Sequence, residues 1–236
     1  LRPANSEGDR MTNGGAILLW GAKSQARIVE ALLRREGIEK IVLFDHSLMA
    51  PDFPTRSHFV SRPEDLRRVL PDCAEAVVCI GGHHGAQRAA LSEALRDRFG
   101  LALRSVVSPL ASVDPEAELG PGVQVLMGAC IGIAARIGAF SIVNSNATVD
   151  HECQVGKGVH VMGGASIAGG VTIGDHATVG TNATVLPDVI IGPGAQVGAG
   201  ALVLHEAGPN EVVVGLPARR LRTELPVVDL SVFNAI

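Results

Sequence analysis

From Val113 onward every sixth residue is a branched aliphatic, without a slip: Val113, Leu119, Val125, Ile131, Ile137, Val143, Val149, Val155, Val161, Ile167, Ile173, Val179, Val185, Ile191, Val197 and Val203. Four residues after each stands a small or modest side chain, from Ala117 and Val123 through Cys153 to Ala207. A helix of 3.6 residues per turn would carry a six-residue repeat around all its faces, and a plain strand alternates with a period of two. The pattern predicts a solenoid, a β-helix in which short strands meet at corners and each aliphatic stacks on those above and below. Three repeats close one triangular coil, so the run predicts roughly five coils. Glycine follows the aliphatic directly (Gly120, Gly132, Gly156) or comes three residues after it (Gly128, Gly158, Gly170). Both sets are read as corners of positive φ, which glycine, asparagine and aspartate adopt most cheaply.

Ahead of the repeat the period changes. Residues 16–20 (AILLW), 41–44 (IVLF), 76–80 (AVVCI) and 101–107 read as strands, and residues 25–36, 63–70 and 84–99 as helices. Strands alternating with helices predict a small parallel sheet with right-handed crossovers, a Rossmann-like domain over residues 11–108. Ligands of such sheets sit at the carboxyl ends of the strands. Three loops should therefore converge: Gly21, Ala22, Lys23 and Ser24 after the first strand, Asp45 after the second, and Gly81 and Gly82 after the third. The first loop keeps one glycine of a dinucleotide fingerprint, which disfavours NAD chemistry. Its helix N-terminus and Lys23 still suit a phosphate, or an ordinary strand-to-helix turn. Asp45 suits a nucleoside hydroxyl or base amide, or a solvated turn.

Composition adds limits. Aromatics make up 3% of the 236 residues while hydrophobics make up 47%, which fits a prism filled by valine and isoleucine. A net charge of -4 offers no basic stripe, so nucleic acid is not an expected partner. No apolar run of about 18 residues spans a membrane. Cys73, Cys79, Cys130 and Cys153 lack paired metal spacing and read as reduced packing residues of a cytoplasmic protein. Residues 1–10 precede Met11 and read as a leader or expression remnant.

The combination resembles a known family. A Rossmann-like domain, then Ser108-Pro-Leu-Ala111 entering a hexapeptide prism, Asp150-His-Glu-Cys153 within it and Val214-Gly-Leu-Pro-Ala-Arg-Arg220 after it is similar to the nucleotide-sugar N-acetyltransferases, relatives of the sialic acid O-acetyltransferases. The resemblance covers residues 11–221. It implies a left-handed parallel β-helix over residues 109–208 and a C-terminal cap and tail over 209–236. It further implies acetyl-CoA as co-substrate, a UDP- or GDP-linked 4-amino-6-deoxy sugar as acceptor, no metal, and a homotrimer with sites between subunits, serving bacterial glycan biosynthesis. His151 matches the family's base with Glu152 beside it, Asn144 an active-site asparagine, and His160 a second histidine of some members. Gly169, between Ala168 and Gly170, matches a glycine whose amide faces the thioester. The closing motif, with Pro217 and Arg219, is shared by many hexapeptide acyltransferases and supports acyl-CoA use. The first loop departs from the family, with Lys23-Ser24-Gln25 where relatives carry more glycine and often a histidine.

Acetyl transfer needs a neutral nucleophile, a group to take its proton and donors for the oxyanion, and histidine is suited to the second task near neutral pH. His151 lies at a corner and should be accessible. Glu152 can assist it only if the corner bends the two together, because adjacent strand residues point to opposite faces. His151, His160, His176 and His205 could each be ordinary polar corner residues, and their spacing does not form a zinc site. Acetylation of a sugar hydroxyl and a non-catalytic nucleotide-sugar-binding trimer are the competing readings.

Overall fold

The computed structural model describes residues 14–236, so the leader expected at residues 1–10 lies outside the described residues. The first domain has the elements β1 (Ala16–Trp20), α1 (Ser24–Arg35), β2 (Ile41–Phe44), β3 (His58–Val60), α2 (Pro63–Val69), β4 (Cys73–Val78), α3 (Gly85–Phe99) and β5 (Ala102–Leu103). They build one sheet in the order β3-β2-β1-β4-β5, every pairing parallel. Central β1 is buried along its whole length, as a continuous apolar run in a parallel sheet must be. Within this sheet only β3 has no counterpart in the sequence reading. Its short HFV run follows a long Pro-containing loop and pairs with β2 alone.

The expected strand over residues 101–107 is two strands in two sheets. Ala102–Leu103 pairs with β4, whereas Val106–Val107 pairs with Gln124–Val125 and opens the prism. Between them Arg104 bonds Glu36 at 2.6 Å and Glu75 at 3.0 Å, fixing the switch point. The prism then runs in three sheets of eight, six and five strands, two residues long as far as Leu202–Val203 and each parallel except for the closing strand Arg219–Thr223. Partners within a face are 18 residues apart, as in Thr148↔Ser166↔Thr184↔Leu202. The repeated aliphatics and the small residues four positions on form one buried column from Val123 to Val213. This is the left-handed parallel β-helix, with the small Rossmann-like parallel-sheet domain before it.

The two glycine classes do different jobs, which corrects the sequence reading. Only the position three after the aliphatic has positive φ, shared by Gly158 and Gly170 with Asn146, Glu152, His176 and Asn182. Glycine directly after the aliphatic has no positive φ and instead lets the next coil approach. A Cβ on Gly132 would stand 2.7 Å from the backbone nitrogen of His151. Cys73, Cys79 and Cys153 are buried as expected of packing residues, and burial pushes the Cys73 thiol up to about 11. Cys130 instead faces outward from its strand.

The domains meet across the eight-stranded face of the prism. Outward-facing Val106, Gln124, Ile142, His160 and Thr178 are buried there. Val106, Leu126 and Ile142 share a core with α1 and the sheet. Gln124 accepts from Gln25 Nε2 at 2.6 Å and donates to the Val78 carbonyl at 3.0 Å. After Arg219–Thr223 the chain returns to the first domain, where Phe233 packs 5.1 Å from the Trp20 ring and Gln87 exchanges two hydrogen bonds with the Asp229 backbone.

Candidate functional site

The three loops at the carboxyl ends of β1, β2 and β4 converge, and the prism completes the site they form. A cleft of about 680 Å³ is lined by Gly21, Lys23, Ser24, Asp45, Gly81 and Gly82 together with Asn144 and His160. Both α1 and α3 start at its wall without a side-chain cap, so their first amides are unspent by capping. Ala22 is the exception among the expected substrate residues. It is fully buried, and its N–H donates to Asp45 Oδ2 at 3.1 Å. Asp45 Oδ1 accepts from both the amide and the hydroxyl of Ser47. The carboxylate therefore organises two loops of the cleft as well as facing it.

At the prism wall, His160 is 3% exposed. Nδ1 lies 3.0 Å from the Gly82 carbonyl and Nε2 lies 3.1 Å from Asn144 Nδ2. A carbonyl can only accept, so Nδ1 carries the proton and Nε2 accepts from the asparagine amide. Asn144 Oδ1 in turn accepts from the Ser145 amide at 2.7 Å. Burial, then the nearby Arg88 charge, lower the His160 pKa to about 4, against the pull of the Gly82 carbonyl. His160 is thus a neutral imidazole that ties the Gly81–Gly82 loop to the prism corner.

His151 and Glu152 occupy a different edge. Asn144 follows a strand of the eight-stranded face, Ile142–Val143, whereas His151 follows Thr148–Val149 of the six-stranded face. One chain therefore does not gather His151, Glu152 and Asn144 at one point. The His151 side chain is 52% exposed, and its Nδ1 lies 3.1 Å from Glu152 Oε2. The pair meets because Glu152 sits at φ +58°, so the corner turns its side chain back toward its neighbour. The Nδ1–H donates to the carboxylate, which leaves Nε2 free to accept a proton.

One coil on, Ala168, Gly169 and Gly170 continue this edge. The Gly170 amide bonds the His151 carbonyl, and the Ala168 amide bonds Val185. The Gly169 N–H has no backbone acceptor among the described residues. The same edge ends at His205, where Arg219 lines a pocket of about 300 Å³ with Glu206 and Glu211. Pro217 lies in the adjoining loop, anchored through Ala218 N to the Leu202 carbonyl at 2.8 Å. The expected base thus shares one edge of the prism with Ala168, Gly169 and Gly170, while Arg219 meets that edge only at the pocket beside His205 and Pro217 lies in the loop between the last two strands of the eight-stranded face. Among the described residues no group of three or more His, Cys, Asp or Glu is placed to hold a metal. No helix among them is long and apolar enough to cross a membrane.

Sequence reasoning missed His46, Ser47, Gln87 and Trp20 in the cleft wall, and the buried Arg88 behind it. The loop residues adjoin strand ends and could have been included by position. Arg88 gives no such signal, since an arginine in a helix ordinarily faces solvent.

The family model of the bacterial transferase hexapeptide (six repeats) matches residues 152–186 and 170–205. No curated protein matches the chain by sequence. Among solved structures, a His→Ala variant of GDP-perosamine N-acetyltransferase from Caulobacter crescentus, in complex with CoA and GDP-perosamine, superposes with a TM-score of 0.77 at 30% identity, covering 88% of this chain and 97% of that one. The acetyltransferase domain of PglB from Neisseria gonorrhoeae gives a TM-score of 0.77 at 26% identity, over 87% and 99% of the two chains. WeeI from Acinetobacter baumannii gives 0.76 at 25% identity, over 87% and 99%. Likeness at this identity runs through both domains and not through the repeat alone, and on that ground the chain belongs to the hexapeptide-repeat, left-handed β-helix family of sugar N-acetyltransferases.

Proposed function

We propose that this enzyme transfers the acetyl group of acetyl-CoA to the amino group of a UDP- or GDP-linked 4-amino-6-deoxy sugar, in the cytoplasm and toward a bacterial surface glycan. The observation that carries the reading is the two-domain match to an N-acetyltransferase crystallised with CoA and GDP-perosamine. It is supported by a cleft where two uncapped helix starts and Lys23 suit a diphosphate.

In this reading His151 Nε2 takes the proton of the attacking amine, and Glu152 keeps Nδ1–H in place and stabilises the imidazolium that forms. The amine nitrogen bonds to the thioester carbon, the oxyanion forms opposite the Gly169 N–H, and collapse expels the CoA thiolate, which takes up the proton. The pantetheine arm would follow the edge from Gly169 toward His205 and Arg219.

A homotrimer reconciles the separate edges. Exposed Leu110 and Met127 flank the Asn144 edge of the six-stranded face, and exposed Ile133 and Leu186 flank the His151 edge. A neighbour packed on this face would bring its own Asn144 edge and cleft toward His151 in a closed ring. The test is acetyl transfer to UDP- and GDP-linked 4-amino-6-deoxy sugars, read as CoA release, beside the matching 4-hydroxy sugars and sialic acid. Faster reaction of a hydroxyl acceptor would overturn N-acetylation, and no turnover with any acceptor would favour a binding protein.

A further inference from the structure

We propose that Arg88 is a positioning residue for the cleft: its guanidinium locks the loop that carries Gly81 and Gly82 to the two prism coils behind His160. The inference rests on the cleft being the nucleotide-sugar site proposed above. Arg88 projects from the first turn of α3, is 1% exposed, and pairs with no carboxylate among the described residues. Nε donates to the Phe140 carbonyl at 2.7 Å, Nη1 to Ile80 at 2.8 Å, and Nη2 to Gly158 at 2.7 Å and Val159 at 3.1 Å. Phe140 and Gly158 occupy the same corner one coil apart. One planar fork therefore spans two coils and the loop, a geometry that a single ammonium does not reproduce.

An interior cation without a counter-ion is expensive, and apolar packing would join two domains at less cost. Its partners explain why a guanidinium stands there. The Ile80 carbonyl immediately precedes Gly81 and Gly82 in the cleft wall, and Val159 immediately precedes His160. Beside it, Gly85 and Gly158 meet backbone to backbone, with no room for a Cβ on either. The group also acts through charge. Facing the His160 ring are the Gly82 carbonyl, the Asn144 amide and Arg88, and Arg88 is among the causes that lower the pKa of His84, His160 and His176. A neutral His160 is the form that donates to Gly82 and accepts from Asn144 together. Arg88 so fixes both the place of the loop and the hydrogen-bond pattern that ties it down.

The test compares wild type with Arg88→Met and Arg88→Lys. Binding of UDP and GDP is read from Trp20, the only tryptophan of the chain, which lines the cleft. The KM values for nucleotide sugar and acetyl-CoA are measured separately, and the His160 ring is followed by nitrogen NMR. Arg88→Met is expected to weaken nucleotide binding and raise the sugar KM about tenfold or more, with the acetyl-CoA KM within about twofold. It should also move the His160 titration to higher pH than in wild type, while burial still holds it below that of an exposed imidazole. Arg88→Lys keeps the cation, so His160 titrates as in wild type while nucleotide binding still weakens. If the methionine variant does not fold, the lysine variant decides by the same binding measurement. Wild-type affinity in both folded variants, or an equal rise in both KM values, overturns the role of Arg88. Failure of wild type to bind either nucleotide overturns the proposed site itself and this inference with it.

Discussion

The imidazole of His151 lies directly against Gly169 of the next coil, so close that a methyl group at 169 would overlap Cε1 and Nε2 and stand 3.0 Å from Cδ2. Gly169 has no positive φ, so alanine is compatible with its backbone and its cost falls on the ring alone. Gly169→Ala should therefore fold with a melting temperature close to wild type and lose about 10- to 100-fold in kcat/KM, the scale of a misplaced catalytic group. Steady-state kinetics beside thermal melts check this, and unchanged kinetics would remove the ring from the chemistry.

Glu152 holds a left-handed backbone that glycine occupies at seven equivalent corners, Gly158 and Gly170 among them. A non-glycine residue in that region costs roughly 1 kcal/mol. Glu152→Gly should raise the melting temperature slightly while lowering kcat about tenfold or more, because the partner of His151 Nδ1 is gone. Activity and stability moving in the same direction would contradict the assignment.

If His151 of one subunit serves the Asn144 edge of a neighbour, two inactive variants should repair each other. Co-expressed His151→Ala and Asn144→Ala chains should regain about a quarter of wild-type activity in random mixed rings, since that share of interfaces joins the two intact edges. Chains purified separately and mixed without exchange should stay inactive. Sedimentation of the active species gives the oligomeric state.

Acid should destabilise the protein through His160. Its folded pKa, near 4, lies below the ordinary imidazole value near 6.5 of an unfolded chain. Between those values the unfolded chain binds more protons than the folded one, so stability falls as pH drops through the window and is untouched by this group above it. The full effect is roughly 3 kcal/mol below about pH 4. Burial lowers His84 and His176 as well, so they steepen the same slope. Melts from pH 7.5 to 4.5 should show a shallower loss for His160→Gln than for wild type, and identical slopes would refute the account.

The six-residue period alone determined the prism, its coil count and which residues face inward, because a repeat that stacks on itself satisfies local and tertiary packing with the same side chains. The apolar runs at residues 16–20 and 41–44 likewise determined a parallel sheet and which loops would converge. Contacts made around a turn or between the two domains were settled only in three dimensions. Glu152 reaches His151 because its backbone is left-handed, and a residue letter does not carry φ. The strand expected over residues 101–107 divides between two sheets, since both halves have the same aliphatic pattern and only the available edges choose. Arg88 is buried because carbonyls from three separate segments meet its donors, and the Phe233 tail docks on Trp20, 213 positions away in the chain. Such contacts depend on which surfaces face each other after folding, and no period along the sequence encodes them.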